Sequence, residues 1–179
     1  MRFVLSIAMV LLAACQSMLP LPAWQNPEGL EHPELGHIID LRNGERLSPQ
    51  QLLNELADAD RVLVGERHDN PDHHALQRWL LQALAQQRKQ GSVLMEMLNP
   101  DQQERVERTQ MSILQGQRPA DLPAALGWQK GWEWELYAPL VEYTLSQPYP
   151  LLQANLDRGE ILAIYRNKPQ LTGVAAATH

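Results

Sequence analysis

Acidic residues and histidines follow short apolar runs at two places in the chain. Glu66 and His68 come soon after the run at 62–64, and Glu96 directly follows the run at 93–95. Neighbouring carboxylates raise one another's pKa, and histidine titrates near neutral pH. This set of side chains therefore indicates a metal, cofactor or acid–base centre.

Two adjacent histidines, His73 and His74, extend this group. A neutral imidazole can accept a hydrogen bond or bind a metal, but both histidines can equally be solvated residues in the first turn of a helix. Glu66 also has a structural interpretation, because a carboxylate near a helix N-terminus is stabilised by about 0.3–1 kcal/mol. Glu96 is harder to explain in this way, since it interrupts an apolar run predicted to be buried, where an unpaired carboxylate is costly.

The elements that must position these residues follow a repeated strand and helix order. The sequence predicts a short strand at 37–41 and a helix that begins at Pro49 after the cap Ser48. Strands at 62–64 and 93–95 follow, separated by a helix from 71 until Gly91, and a further helix begins at Asn99-Pro100. The last predicted elements are a helix from about 133 to 145, a strand from Tyr149 ending near Asn155, and a helix at 158–165. Continuous apolar runs are typical of strands covered on both faces of a parallel sheet. The predicted fold class is therefore α/β, with a largely parallel β-sheet flanked by helices.

This order places the polar residues at one edge of the predicted sheet. Strands joined by a single helix are usually neighbours with a right-handed crossover, about 4.8 Å apart. Ligands of such sheets bind beyond the carboxyl ends of the strands. We therefore expect Glu66, His68 and Glu96 to share one crevice.

Aromatic residues are concentrated in one later stretch of the chain. The stretch contains Trp128, Trp132, Trp134, Tyr137, Tyr143 and Tyr149. Trp134 and Tyr137 fall on one helical face by their spacing. An aromatic stripe of this kind is more often part of a core than the wall of a cofactor site, and both interpretations stay open.

The first residues predict a lipoprotein signal peptide over 1–14. Arg2 precedes a nearly continuous apolar run that ends Leu12-Ala13-Ala14-Cys15. The run is too short to span a bilayer, which takes about 20 apolar residues. Small residues before Cys15 are typical of lipoprotein processing, so we expect cleavage before Cys15, lipidation of its thiol with palmitate-type acyl chains, and attachment to the outer membrane.

Composition limits the remaining possibilities. Cys15 is the only cysteine, so the mature domain has no disulfide and no thiolate for catalysis. Lys and Arg number 15 against 21 Asp and Glu, and no basic cluster is present, which argues against nucleic acid as a partner. Four prolines between 16 and 33 predict a flexible tether over 15–35, followed by one domain from Gly36 to His179.

One long string of residues resembles a known family. Residues 62–74 read VLVGERHDNPDHH, followed by Gln77, by Glu96-Met97-Leu98, and later by WEW and YAPL at 132–134 and 137–140. These residues look like the ChaN-type haem-binding lipoproteins, which are related to the erythromycin esterases and the Tiki proteases. The resemblance covers about Gly36 to Asn155.

The resemblance implies a haem-binding protein of iron uptake rather than an enzyme. It implies haem as cofactor, a possible homodimer and a possible outer-membrane haem receptor as partners. Tyr137 is the first choice for iron ligand, because tyrosinate binds ferric iron, with His68, His73 or His74 as partner and Glu66 and Glu96 nearby. Family members usually continue well beyond this length, so the chain is expected to form a partial domain relative to the family.

Two other functions remain open on the sequence. The related superfamily permits a metal-dependent or acid–base hydrolase acting through Glu66, His68 and Glu96, although the chain has no H-E-x-x-H or G-x-S-x-G motif. A surface interaction protein with a purely structural cluster is the third possibility.

Overall fold

The computed structural model describes residues 19–167. The predicted signal peptide at 1–14 and the predicted lipidation site Cys15 lie outside the described residues. The elements are β1 (Ile38–Asp40), β2 (Glu45–Leu47), α1 (Pro49–Ala57), α2 (Pro71–Leu84), β3 (Val93–Met95), a 3-10 turn (Pro100–Gln102), α3 (Gln103–Leu114), α4 (Leu122–Leu126), α5 (Trp134–Leu145), β4 (Leu151–Gln153) and α6 (Arg158–Asn167). Between residues 19 and 167 we find no helix that is both long and apolar enough to cross a bilayer.

The parallel sheet is represented by β3 and β4. Val93 pairs with Leu151 and Met95 with Gln153 in a parallel register, and helices pack against this pair. The predicted α/β class is therefore confirmed. β1 and β2 form a separate antiparallel hairpin, whose turn uses the positive φ of Gly44.

The run at 62–64 is not a buried strand, so this prediction is wrong. In the described part of the chain it joins no sheet, and Leu63 is 91% and Val64 50% exposed. Leu94 in β3 is also 59% exposed, whereas Met95 and Leu151 are buried in the core. An apolar run fits a strand that is covered on both faces, and the described residues cover only one face of these segments.

The main core lies between the parallel pair and the helices α3, α4 and α5, which connect its two strands. Met95, Leu98, Val106, Leu126, Tyr137, Leu140, Val141, Leu145 and Leu151 are all buried there. A smaller cluster joins α1 and α2 through Leu53 and Trp79. The helices α2 and α5 pack against each other, and this contact brings the two halves of the candidate site together.

The segment that begins at Leu19 is docked on α2, whereas the sequence predicts a flexible tether there. The indole Nε1 of Trp79 donates to the Leu19 carbonyl oxygen at 2.9 Å. The Asp72 carboxylate accepts from the backbone N–H groups of Gln25 at 2.6 Å and Asn26 at 3.2 Å. The acidic side chain of Asp72, in the first turn of α2, thus binds the backbone of this segment. The prolines of the segment do not prevent these hydrogen bonds.

The outer edge of β4 is closed by side chains from α3. The side-chain amide of Gln103 donates to the Leu151 carbonyl oxygen at 3.2 Å and accepts from the backbone N–H of Gln153 at 2.8 Å. Gln110 accepts from the N–H of Leu151 at 3.3 Å and donates to the carbonyl oxygen of Tyr149 at 2.8 Å. These two glutamines pair backbone groups that a further strand would otherwise pair.

Candidate functional site

Glu66 is the centre of a polar cluster beside the main core. Its side chain is 8% exposed. Its Oε1 atom accepts from the Tyr137 hydroxyl at 2.7 Å and lies 2.9 Å from Nδ1 of His68. Its Oε2 atom accepts from the Gln77 amide at 2.8 Å and lies 3.2 Å from Nδ1 of His74. Four groups thus converge on one carboxylate.

Three segments of the chain supply this cluster. Asn70 caps α2 by accepting from the backbone N–H of Asp72, and Pro71 occupies the first turn, so Glu66 and His68 lie in the loop that enters the helix. His74 and Gln77 are three residues apart on α2 and therefore face the same side. The third segment is α5, which carries Tyr137 and packs on α2.

The buried side chain of His74 holds the loop that precedes α2. Its side chain is 3% exposed, and its Nε2 atom lies 3.0 Å from the backbone carbonyl oxygen of His68. A carbonyl oxygen can only accept, so Nε2 carries the proton. The ring also packs on Tyr137 with 4.4 Å between centroids. His74 therefore holds the backbone of His68 in place, while its Nδ1 atom lies close to the Glu66 carboxylate without a hydrogen bond to it.

His68 is the exposed member of the cluster. Its side chain is 54% exposed, and its ring meets that of Trp132 edge to face at 4.8 Å. The ionised Glu66 carboxylate can only accept, so Nδ1 of His68 donates the hydrogen bond and the lone pair of a neutral ring resides on Nε2. The cluster thus presents an imidazole nitrogen at the surface beside a flat aromatic side chain.

The aromatic stretch is divided between core and surface. Tyr137 is 1% exposed, and Trp128, Trp132 and His74 surround its ring with centroids between 4.4 and 6.0 Å away. The core interpretation therefore holds for Tyr137. Trp132 is only partly buried and reaches the surface at His68.

The hydrogen bonds determine the charge states of Glu66 and Tyr137. Burial raises the pKa of Glu66, but the hydrogen bonds from His68, Tyr137 and Gln77 outweigh it, so this pKa lies below its ordinary value. The pKa of Tyr137 is raised well above its ordinary value, first by burial and then by its hydrogen bond to Glu66. The cluster therefore favours an ionised Glu66 and a protonated Tyr137.

Two predicted site residues lie outside this hydrogen-bonded group. Nδ1 of His73 accepts from the backbone N–H of Arg67 at 2.8 Å, so His73 supports the loop. Glu96 is exposed, so the expectation that it is buried is wrong. Exposed and buried positions alternate here: Met95 and Met97 are buried, and Glu96 lies on the exposed side with Leu94. Its negative charge still contributes to the raised pKa of Tyr137.

Gln77 is the cluster member that the reasoning from residue chemistry missed. It appears in the string that resembles the family, but an uncharged amide on a helix gives no chemical signal of its own. Its three-residue spacing from His74 is the one feature that could have identified it. Within residues 19–167 no group of three His, Cys, Asp or Glu side chains is placed to hold a metal ion.

Comparisons with known proteins agree with the resemblance stated above. A family model described as haem-binding uptake, Tiki superfamily, ChaN, matches residues 52–178. A solved structure, described as cofacial heme binding to ChaN of Campylobacter jejuni, is 30% identical and superposes with a TM-score of 0.66. The match covers 76% of this chain but 55% of the solved chain, so this chain spans about half the length of that relative. No curated protein matches the chain.

Proposed function

Because the chain belongs to the ChaN family of the Tiki superfamily, we propose that it binds haem and takes part in haem uptake outside the cytoplasm. The observation that carries the proposal is the exposed imidazole of His68, which is 2.9 Å from the buried carboxylate of Glu66 and 4.8 Å from the Trp132 ring. The similar protein of Campylobacter jejuni is described as binding haem. Binding by this chain is inferred from that likeness together with the chemistry of its own residues.

The donor set fits haem in two respects. Histidines that bind metals almost always donate their other ring N–H to a carboxylate, a carbonyl oxygen or water, which fixes the tautomer, and His68 has this arrangement with Glu66. A porphyrin also needs a flat apolar surface to stack on, and the partly buried Trp132 supplies one beside the ligand. When bound, haem would supply an iron centre that His68 holds through Nε2.

His68 is a better candidate for the iron ligand than Tyr137. The Tyr137 hydroxyl is buried and donates to Glu66 at 2.7 Å, and burial together with that bond raises its pKa. A tyrosinate would require breaking this bond beside an ionised carboxylate. Tyr137 instead orients Glu66, and the sequence-based assignment of Tyr137 as ligand stays a prediction that the experiment below tests.

Titration of the unlipidated chain from Gln16 onward with hemin tests the proposal. We expect a saturable Soret shift, and loss of the His68 ligand in His68→Ala should reduce affinity by at least about 10-fold, the size of effect known for partners of a metal ligand. His32→Ala is the matched control, because His32 is an exposed histidine outside the cluster and should bind as the wild type does. Equal affinity in all three proteins would remove His68 from the site, and no Soret shift in the wild type would reject haem binding.

An acid–base hydrolase is the second candidate, favoured by one observation. The hydrogen-bonded pair of Glu66 and His68 at 2.9 Å is also the pair with which a carboxylate orients a histidine base. Hydrolysis of an activated ester, abolished by His68→Ala and by Glu66→Gln, would support this activity. Activity that survives both substitutions would reject it.

The cellular setting of the proposal comes from the N-terminus. A lipid at Cys15 would hold the domain at the outer membrane, where a haem receptor or a second copy of the chain would be its partner. Lipid anchoring is supported by the Leu-Ala-Ala-Cys sequence at 12–15.

A further inference from the structure

A cavity of about 490 Å³ lies between α1, α2, β1 and the segment that begins at Leu19. Its volume is within the range of about 300–1,000 Å³ that is typical of ligand pockets. We propose that this cavity holds one acyl chain of the lipid on Cys15. The inference rests on the proposed lipidation of Cys15 and deepens it by giving one chain a binding site in the protein.

The walls of the cavity are mainly apolar side chains that are only half-buried. They come from all four segments and are Leu21, Trp24, Ile38, Leu52, Leu76 and Leu80. Each of them leaves apolar surface beside the open space, and removing such surface from water is favourable. The chemistry of the walls therefore fits an apolar ligand.

The segment that docks on α2 forms one wall without needing a ligand. The ring of Trp24 lies against Gly36, where an added Cβ would be 3.1 Å from the ring. The segment is held on α2 by the carboxylate of Asp72 and by the indole of Trp79. Because these contacts already exist, an acyl chain would enter a cavity that is formed in advance, as most ligand sites are.

The polar groups around the cavity argue against a free fatty acid. Among the described residues, no Lys or Arg lines the cavity, whereas Glu28, Glu34 and Asp72 do. Asp72 is already bound to the backbone of Gln25, and Glu34 to the ring of His37. A free fatty acid would place its carboxylate beside these groups without a cation, which is costly. An acyl chain in an ester or amide carries no such charge.

The position of Cys15 makes its lipid the nearest source of an acyl chain. Trp79 lines the cavity, and its indole N–H also donates to the Leu19 carbonyl oxygen at 2.9 Å. The four Cα-to-Cα steps from Cys15 to Leu19 span at most about 14 Å. Covalent attachment keeps the chain at a high effective concentration beside the cavity. The cavity can therefore shield one chain from water whenever that chain is outside the bilayer.

A neutral lipopeptide tests the cavity without the membrane. The probe is the peptide from Cys15 to Met18 with a palmitoyl group on its amine, a methylated thiol and an amidated end. Below its micelle-forming concentration, it is titrated into the unlipidated chain from Gln16 and followed by calorimetry. We expect saturable binding with one site, and no binding of the same peptide carrying an acetyl group. Palmitate should bind at least about tenfold more weakly than the lipopeptide, because its carboxylate finds no cation.

Filling the cavity should remove this binding. Leu76→Trp places a larger side chain in the cavity, and displacing as few as two methylene groups of the ligand weakens binding by at least about tenfold. Met111→Trp is the matched control, because Met111 is 60% exposed on α3 and does not line the cavity. Trp24→Ala is a second variant, which removes a wall without changing a helix and should also weaken binding. Circular dichroism verifies the fold of each variant.

Mass spectrometry of the full protein from cells separates this inference from the proposed lipidation. If Cys15 carries no acyl chain, the lipidation and the role of the cavity are both rejected. If Cys15 is acylated but the lipopeptide does not bind, lipidation stands and the role of the cavity is rejected. The same conclusion follows if palmitate binds as tightly as the lipopeptide, or if folded Leu76→Trp and Trp24→Ala bind it as the wild type does.

Discussion

At the scale of single residues, the site is defined by which polar atoms are buried and which reach the surface. Glu66 and His68 are two positions apart in the sequence, and their closeness was predictable from the motif. The difference in their exposure was not, because the burial of Glu66 depends on Tyr137, which is 71 positions away. The same long-range contact makes the Tyr137 hydroxyl a buried hydrogen-bond donor to Glu66, and its role as an iron ligand stays a prediction.

Two buried tyrosines test how much the hydrogen bond from Tyr137 to Glu66 contributes to stability. In Tyr137→Phe, Glu66 loses its bond from the hydroxyl, and a hydrogen bond to a charged group contributes about 1.5–3 kcal/mol. We therefore expect a loss of that size in the free energy of unfolding, measured with denaturant. The hydroxyl of Tyr149 is also buried but makes no hydrogen bond of good geometry among the described residues, so Tyr149→Phe should cost much less than Tyr137→Phe.

The hemin titration separates the same alternatives for Tyr137. If Tyr137 were the iron ligand, Tyr137→Phe would abolish the spectral signature of tyrosinate ligation. If it only orients Glu66, the spectrum of the variant keeps the same ligand type and only the affinity changes. A lost ligand signature in Tyr137→Phe, with His68→Ala unchanged, would reverse the assignment made above.

At the scale of elements, local sequence signals predicted where the helices lie, but they did not predict which strands pair. The cap at Asn70-Pro71 located the start of α2, and the aromatic stretch located α5, since capping and helical spacing are properties of neighbouring residues. The strand at 62–64 failed because a strand is defined by its partner, and apolar composition does not supply one. The sequence also did not predict that the segment from Leu19 docks on α2. This docking depends on the carboxylate of Asp72, which in the sequence is an ordinary acidic residue of the first helical turn.

The glutamines of α3 give a prediction at this scale. Gln110 is 8% exposed, and it pairs the N–H of Leu151 and the carbonyl oxygen of Tyr149. In Gln110→Leu both groups lose their partner, and a buried group left unpaired costs about 1–3 kcal/mol. We expect a clear loss in the free energy of unfolding, whereas Gln50→Leu, which removes an exposed bond to Asn54 on α1, should have little effect. Equal effects would mean that the edge of β4 is not stabilised by Gln110.

At the scale of the whole molecule, the structure represents part of a larger family fold. The chain covers 55% of the solved relative, and Leu63 and Leu94 are exposed where a parallel sheet is normally covered. The helix α6 has no buried residue. The sequence predicted the fold class because the order of strands and helices can be recognised within the matched region. It could not show which faces of the strands remain exposed.

The last prediction concerns where the molecule is held. If Cys15 carries the lipid, only the residues between it and Leu19 separate the membrane from the domain, because Leu19 is bound to α2 through Trp79. The four Cα-to-Cα steps from Cys15 to Leu19 span at most about 14 Å when fully extended, so the domain would lie close to the membrane surface rather than at the end of a long tether. In Cys15→Ala the thioether cannot form, and since stable anchoring requires acyl chains, the protein should move from the membrane fraction to the soluble extract. Ser17→Ala is the matched control, because it changes a neighbouring residue and leaves the thiol intact. Labelled palmitate incorporated as strongly in Cys15→Ala as in the wild type would contradict lipid anchoring at this residue.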